Sequence, residues 1–248
     1  SGLGSVAMGF NTLAGPQDVQ ADGINGGNVG QFSAGYASRA IGNVSTATGF
    51  RNTASGGSSV ALGNYNYATG DATIALGKEN WAEGASTIAI GFKSHAAGAG
   101  SVALGQENIA WGTTNFTSGY QNVAGDTNAA VGTAGSATAL GTGTKASGRS
   151  SFSANNNTTA SNHASAALGL STTADNFGML AIGVNNSAGL GDTTIDPDNI
   201  GGYYHVNGEY IGDPGVVFVI GNGDIKIDAE GNPLPERGDN PRNAFVVN

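Results

Sequence analysis

Few residues of this sequence are placed to make or break bonds. Its three histidines, His95, His163 and His205, lie far apart, and none has a second histidine or a cysteine beside it. A zinc site needs such clustered nitrogen or sulfur ligands, so none is expected. Asp192, Asp196 and Asp198 could offer oxygens to Ca²⁺, but they lack the regular spacing of a calcium loop. Gly221-Asn222-Gly223 reads as a turn, because no helix follows it to present N–H groups to a phosphate. Serines are abundant, yet none shows a strained nucleophile elbow or a base partner. Glu79, Glu83 and Glu107 fall at outward or corner positions, where solvated charge is expected. Paired carboxylates for glycoside cleavage cannot be assigned from spacing alone. The expectation is a protein with no catalytic residues, no metal and no cofactor.

Recognition is the chemistry these residue types favour instead. Tyr65, Tyr67, Trp81, His95, Ile109 and Trp111 concentrate broad, stiff side chains in one region. Tyr67, Trp81, His95, Ile109 and Val123 follow one another at a constant interval, so a repeating fold would stack them into a ladder. Exposed aromatic stripes offer large contact area at low entropic cost. They are the candidate binding residues, for a glycan or a protein on a target surface. The alternative is that these rings pack over corners or against an insertion at residues 16–30.

What positions them is a repeat. Ser59-Val60-Ala61-Leu62-Gly63 returns as Thr73-Ile74-Ala75-Leu76-Gly77, Thr87-Ile88-Ala89-Ile90-Gly91 and Ser101-Val102-Ala103-Leu104-Gly105, every 14 residues. A short fixed period specifies stacked rungs. Numbering each rung from its Ser or Thr, positions 1 to 5 alternate with period two and form a strand. Glycine closes the phrase at position 5 and recurs at position 12, with Asn155, Asn162 and Asn176 as variants. Gly and Asn share tolerance of a left-handed backbone, so both positions are expected to turn corners. Position 8 is Asn, Ser or Thr, expected to satisfy turn backbone, and position 10 is Ala.

Small residues at positions 3, 8 and 10 predict a thin interior, which leaves the large aliphatics at positions 2 and 4 pointing out of the coil. The ladder Val60, Leu62, Ile74, Leu76, Ile88, Ile90, Val102 and Leu104 is too long an apolar patch for a lone chain. The simplest cover is the same ladder from sister chains around an axis. The expectation is an obligate homo-oligomer, with three chains. In the opposite assignment the large residues lie inside and the alanines outside, and a monomer would suffice.

The phrase resembles the head repeat of trimeric autotransporter adhesins of the YadA type, Ser-Val-Ala-Ile-Gly followed by x-x-Ser-x-Ala-x-Gly, over most of residues 5–189. The resemblance implies an all-β fold, a left-handed parallel β-roll (a β-solenoid) that is homotrimeric and displayed on a surface. A second, shorter resemblance pairs Phe218-Val219-Ile220-Gly221-Asn222-Gly223 with Arg242-Asn243-Ala244-Phe245-Val246-Val247. It is similar to the segment that precedes a self-cleaving chaperone in phage tail fibres and spikes, and implies a trimeric fibre foot.

Along the chain, the reading gives a β-roll head over residues 1–189 with about thirteen rungs and the insertion at 16–30. Its first rung starts at Ser5, and a short rung is expected at Asn128. Residues 190–248 form a non-repeat, β-rich connector, with a hairpin at Asn207-Gly208 and strands near Val216–Ile220, Ile225–Asp228 and Arg242–Val247. The 248 residues carry a net charge of −9 with only nine Lys plus Arg, which argues against nucleic acid. No apolar run approaches the ~20 residues of a membrane helix. Its start partway through the pattern is read as an excised piece of something longer. The function expected is a non-enzymatic attachment fibre, extracellular, on a bacterial surface or a phage or injection-machine tail, meeting a host glycan or protein receptor. A purely structural spacer is the alternative. Ice binding and a polysaccharide-degrading spike are weaker readings.

Overall fold

The computed structural model describes residues 4–15, 29–128 and 135–186, together with the backbone of six short strands between His205 and Val247. The insertion at 16–30 falls almost wholly outside the described residues, as do Asp192, Asp196 and Asp198. The chain forms two compact units, Ser1–Gln121 with Thr127–Thr133, and Asn122–Asp126 with Ala134–Asn248.

In the first unit each rung is a five-residue strand, a corner, a two-residue strand and a second corner. The longer strands run from Val6–Phe10 and Phe32–Tyr36 through Val60–Asn64, Ile74–Lys78 and Ile88–Phe92 to Phe116–Tyr120. They stack in parallel and in register, so Ala61 faces Ala75 and Gly63 faces Gly77. The shorter strands, among them Tyr67–Ala68, Trp81–Ala82 and His95–Ala96, form a second parallel sheet. This is a parallel β-solenoid. The stack proceeds directly from Val6–Phe10 to Phe32–Tyr36, so the long insertion between them leaves the register intact.

The alanines are inside. Ala61, Ala75, Ala89 and Ala103 of the long strands, and Ala68, Ala82, Ala96 and Ala110 of the short ones, are fully buried. The aliphatics beside them face outward: Ile74 keeps 36% of its surface and Leu76 38%. A largely methyl-lined interior keeps the two sheets close, with Ser33 and Thr117 replacing alanine in two of this unit's long strands, and polar groups fill the rest. Asn52, Asn66, Asn80 and Asn108 at position 8 are buried without exception. Asn66 Nδ2 donates to the carbonyls of Leu62 at 2.8 Å and Gly77 at 2.7 Å, while its Oδ1 accepts from the backbone N–H of Asn80 at 3.0 Å. Each amide thus ties its own rung to the next. The position-1 hydroxyls are equally internal: Ser59 Oγ donates to Gly56 O at 2.6 Å and Thr87 Oγ1 to Gly84 O at 2.9 Å. A buried polar group satisfied in this way costs little, where an orphaned one would cost about 1–3 kcal/mol.

Two causes select glycine, and at position 5 both act, since a Cβ at Gly63 would also fall on the carbonyl oxygen of Gly77. At position 5 the backbone is left-handed as expected, with φ of 119° at Gly63 and 93° at Asn155. At position 12 the expectation holds at Gly112, with φ of 107°, and fails at most other rungs. Gly56, Gly70, Gly84 and Gly98 do not have left-handed φ; a Cβ at Gly56 would fall on the carbonyl oxygen of Gly70 in the next rung. Those glycines are required by close approach of stacked backbones. The left-handed corners lie instead at positions 7 and 14, occupied by ordinary residues such as Tyr65 (φ 55°), Glu79 (58°), Ala72 (54°) and Ser86 (58°).

The second unit repeats the design with the strands Thr138–Thr142, Phe152–Asn156, Ala166–Leu170 and Leu180–Val184. Val123–Ala124 pairs directly with Lys145–Ala146, and Asn122 Nδ2 donates to Gly141 O at 2.7 Å. That pairing leaves no place in the short-strand stack for a separate rung at Asn128. Phe218–Asn222 joins the stack in parallel on Leu180–Val184, with Gly221 opposite Gly183, and then pairs antiparallel with Asn243–Val247. His205–Val206 pairs antiparallel with Glu209–Tyr210, and Ile225–Ile227 with Pro233–Arg237.

Candidate functional site

Two columns of side chains rise along the corner and the short strand of the first unit. Position 7 supplies Arg51, Tyr65, Glu79 and Lys93, each held at a left-handed corner whose N–H bonds to the rung before: Tyr65 N to Phe50 O at 2.9 Å, Glu79 N to Asn64 O at 2.8 Å. Position 9 supplies Tyr67, Trp81, His95 and Ile109 in register. Between the columns the position-8 side chain turns inward, so both columns face out. The in-register stacking is the reason residues 14 apart become neighbours.

The rings meet. Tyr67 and Trp81 have centroids 5.3 Å apart, Trp81 and His95 5.9 Å, and His95 and Trp111 5.9 Å, with interplanar angles of 59°, 73° and 81°. The successive tilts set ring edges against ring faces, an arrangement favoured by aromatic quadrupoles. Trp81 is 47% exposed at the middle of this row, while Tyr67 and His95 are half-buried beside it. A Glu83 carboxylate oxygen lies 3.2 Å from His95 Nε2, although that nitrogen has no aligned hydrogen bond. Between the columns is an open groove of about 360 Å³ lined by Tyr65, Tyr67, Glu79, Trp81 and Lys93. Glu79 lies between two lysines, 3.4 Å from Lys78 Nζ and 3.9 Å from Lys93 Nζ. Both ammonium groups also sit over the Phe92 ring, at 5.3 and 5.1 Å. Further along, the Glu107 carboxylate accepts from Gln121 Nε2 at 2.8 Å, and that bond holds its pKa below the ordinary carboxylate value.

Of the candidate residues, Tyr67, Trp81, His95 and Trp111 form one continuous row. Ile109 continues its column without joining the ring contacts. Tyr65 turns the other way: its ring meets Phe50 edge-on at 5.5 Å, and its hydroxyl accepts from Arg51 Nη1 at 2.7 Å. The alternative that the rings pack against the 16–30 insertion concerns residues outside those described.

A second aromatic ladder escaped the sequence reading. Phe10, Tyr36 and Phe50 at position 6 stack nearly flat, with centroids 5.4 and 5.0 Å apart and interplanar angles of 15° and 9°. Phe10 is 69% exposed. The signal was the same periodicity, taken one residue earlier, but the insertion separates Phe10 from Tyr36 in the sequence.

Residues 54–80 and 82–108 match two copies of the YadA head domain repeat. The matched residues include Tyr65, Tyr67 and His95 of the candidates and most of the regular rungs; Trp81 falls between the two copies, and Ile109 and Trp111 lie beyond the second. No protein of curated function matches the chain. Among the described residues no cluster of three His, Cys, Asp or Glu could hold a metal, and no helix is long and apolar enough to cross a membrane.

Proposed function

We propose that this chain is the head of a non-enzymatic, homotrimeric attachment fibre displayed outside the cell, whose aromatic row meets a glycan or protein on the target. The observation that carries the assembly is the outward ladder. With alanines filling the coil, Val60, Leu62, Ile74, Leu76, Ile88, Ile90, Val102 and Leu104 form an outward column in which each stacks on its equivalents in neighbouring rungs and its outer side stays open. A continuous apolar stripe of that length is covered by association. The adhesin-like role is supported by the two YadA head domain repeats, and the foot reading by the antiparallel pairing of Phe218–Asn222 with Asn243–Val247. A phage or injection-machine tail would present the same surface as a bacterial cell.

Light scattering on the purified chain tests the assembly: the mass expected is three times the 24.4 kDa of one chain, and a monodisperse single-chain species would refute it. Trp81→Ala with Trp111→Ala tests the recognition surface. Loss of the exposed Trp81 and the half-buried Trp111 should weaken adhesion to target cells by about 30-fold or more, with a melting temperature close to that of the parent. Unchanged adhesion would turn the reading to a structural spacer.

A further inference from the structure

The first unit holds a second cleft, of about 490 Å³, that the aromatic row does not explain. Arg39 and Arg51 line it from adjacent rungs, with Thr12, Thr53, Tyr65 and Tyr67. No Asp or Glu lines the cleft, and among the described residues neither arginine makes an ion pair. Arg39 Nε is shielded from solvent with no hydrogen-bond partner. Arg51 is held in place: Nη1 donates to Tyr65 Oη at 2.7 Å, and its guanidinium lies 5.5 Å from the ring centres of both Phe50 and Tyr65. In a chain of net charge −9 with nine Lys plus Arg, two guanidiniums in one cleft that no described carboxylate neutralises are a local reversal of sign.

We infer that this cleft binds the acidic group, carboxylate or sulfate, of a short anionic oligosaccharide. The inference rests on the attachment reading above and names the class of receptor. Guanidinium forks match planar carboxylates and sulfate oxygens with paired charge-assisted hydrogen bonds. The threonine and tyrosine hydroxyls supply the neutral donors and acceptors that sugar hydroxyls require. Tyr65 and Tyr67 line both this cleft and the groove at Trp81. An acidic sugar at the arginines therefore places its neighbour against aromatic faces. The acidic remainder of the chain repels long polyanions, so short chains are preferred.

Isothermal titration calorimetry on the purified protein, at low and physiological salt, would use three probes: hyaluronan hexasaccharide (carboxylate only), heparin hexasaccharide (sulfate and carboxylate) and dextran hexasaccharide (neutral). Binding of either acidic probe and not of dextran is expected, and the preference between them identifies the acidic group. Arg39→Gln and Arg51→Gln should each weaken that binding about tenfold or more. Arg39→Lys, which keeps the charge and loses the fork, should weaken it less. All three variants should keep the parental melting temperature. Absence of binding to both acidic probes, or equal affinity in the Gln variants, would overturn the inference. Loss of cell adhesion in Trp81→Ala with Trp111→Ala would still uphold the attachment reading in that case, so the two fail separately.

Discussion

At Gly56 a methyl group has nowhere to go, because the next rung's backbone occupies the position. Gly56→Ala is therefore expected to destabilise the protein by about 3 kcal/mol, as overpacking does when the obstacle is backbone, measured by denaturant unfolding. Ala72 presents the opposite case: it is exposed and holds φ of 54°, a conformation costly for a residue with a Cβ. Ala72→Gly should raise stability by up to about 1 kcal/mol, despite the greater freedom glycine gives the unfolded chain. Composition by position marked glycine as necessary at positions 5 and 12 without distinguishing the two causes. A left-handed φ and a carbonyl in the way both select the same residue. Nor did residue type reveal the true left-handed corners, since Tyr65, Glu79 and Lys93 are not residues that favour them, and the stack imposes the conformation.

The rung is held by an amide ladder more than by its thin apolar interior. Asn66→Asp keeps the acceptor for Asn80 but removes the donors to Leu62 and Gly77 and buries a carboxylate among carbonyl oxygens. A loss of about 3 kcal/mol or more is expected at neutral pH in thermal or denaturant unfolding. Asn66→Ser should be milder, because Ser94 already fills this position, donating to Gly105 O at 3.1 Å. The strands, their register and the inward alanines were legible from the alternation of Val, Ile and Leu with Ala. The asparagines were legible in part: their interior place and their bonds to backbone were expected, but the bonds tying each amide to the next rung were not, since spacing does not show which groups of stacked rungs meet. Phe10, Tyr36 and Phe50 went unread for another reason, since an interruption between rungs hides a column from a periodic scan.

Under the proposed assembly, the outward ladder predicts that Leu76→Asp lowers the oligomeric mass seen by light scattering, or the melting temperature, by placing charge where chains would meet. Retention of both would sink the interface. The repeat was readable over most of the head because each rung restates the same constraints. Its end was harder to place. Phe218-Val219-Ile220-Gly221 obeys the strand alternation and closes on glycine, yet it stands far from Leu180–Val184 in sequence, and the return to the stack depends on a register that spacing does not carry.

The in-register pairing of nearly interchangeable phrases has a genetic corollary. Excising residues 59–72 would splice Ser58 onto Thr73, bringing Thr46–Phe50 against Ile74–Lys78 with every inward and outward side chain still facing its proper way. Unequal crossing-over between such phrases shortens or lengthens the encoded coil by whole steps while preserving reading frame and fold. A lineage carrying this gene can thus vary the length of the coil, and under the attachment reading the reach of the fibre, without inventing any new structure.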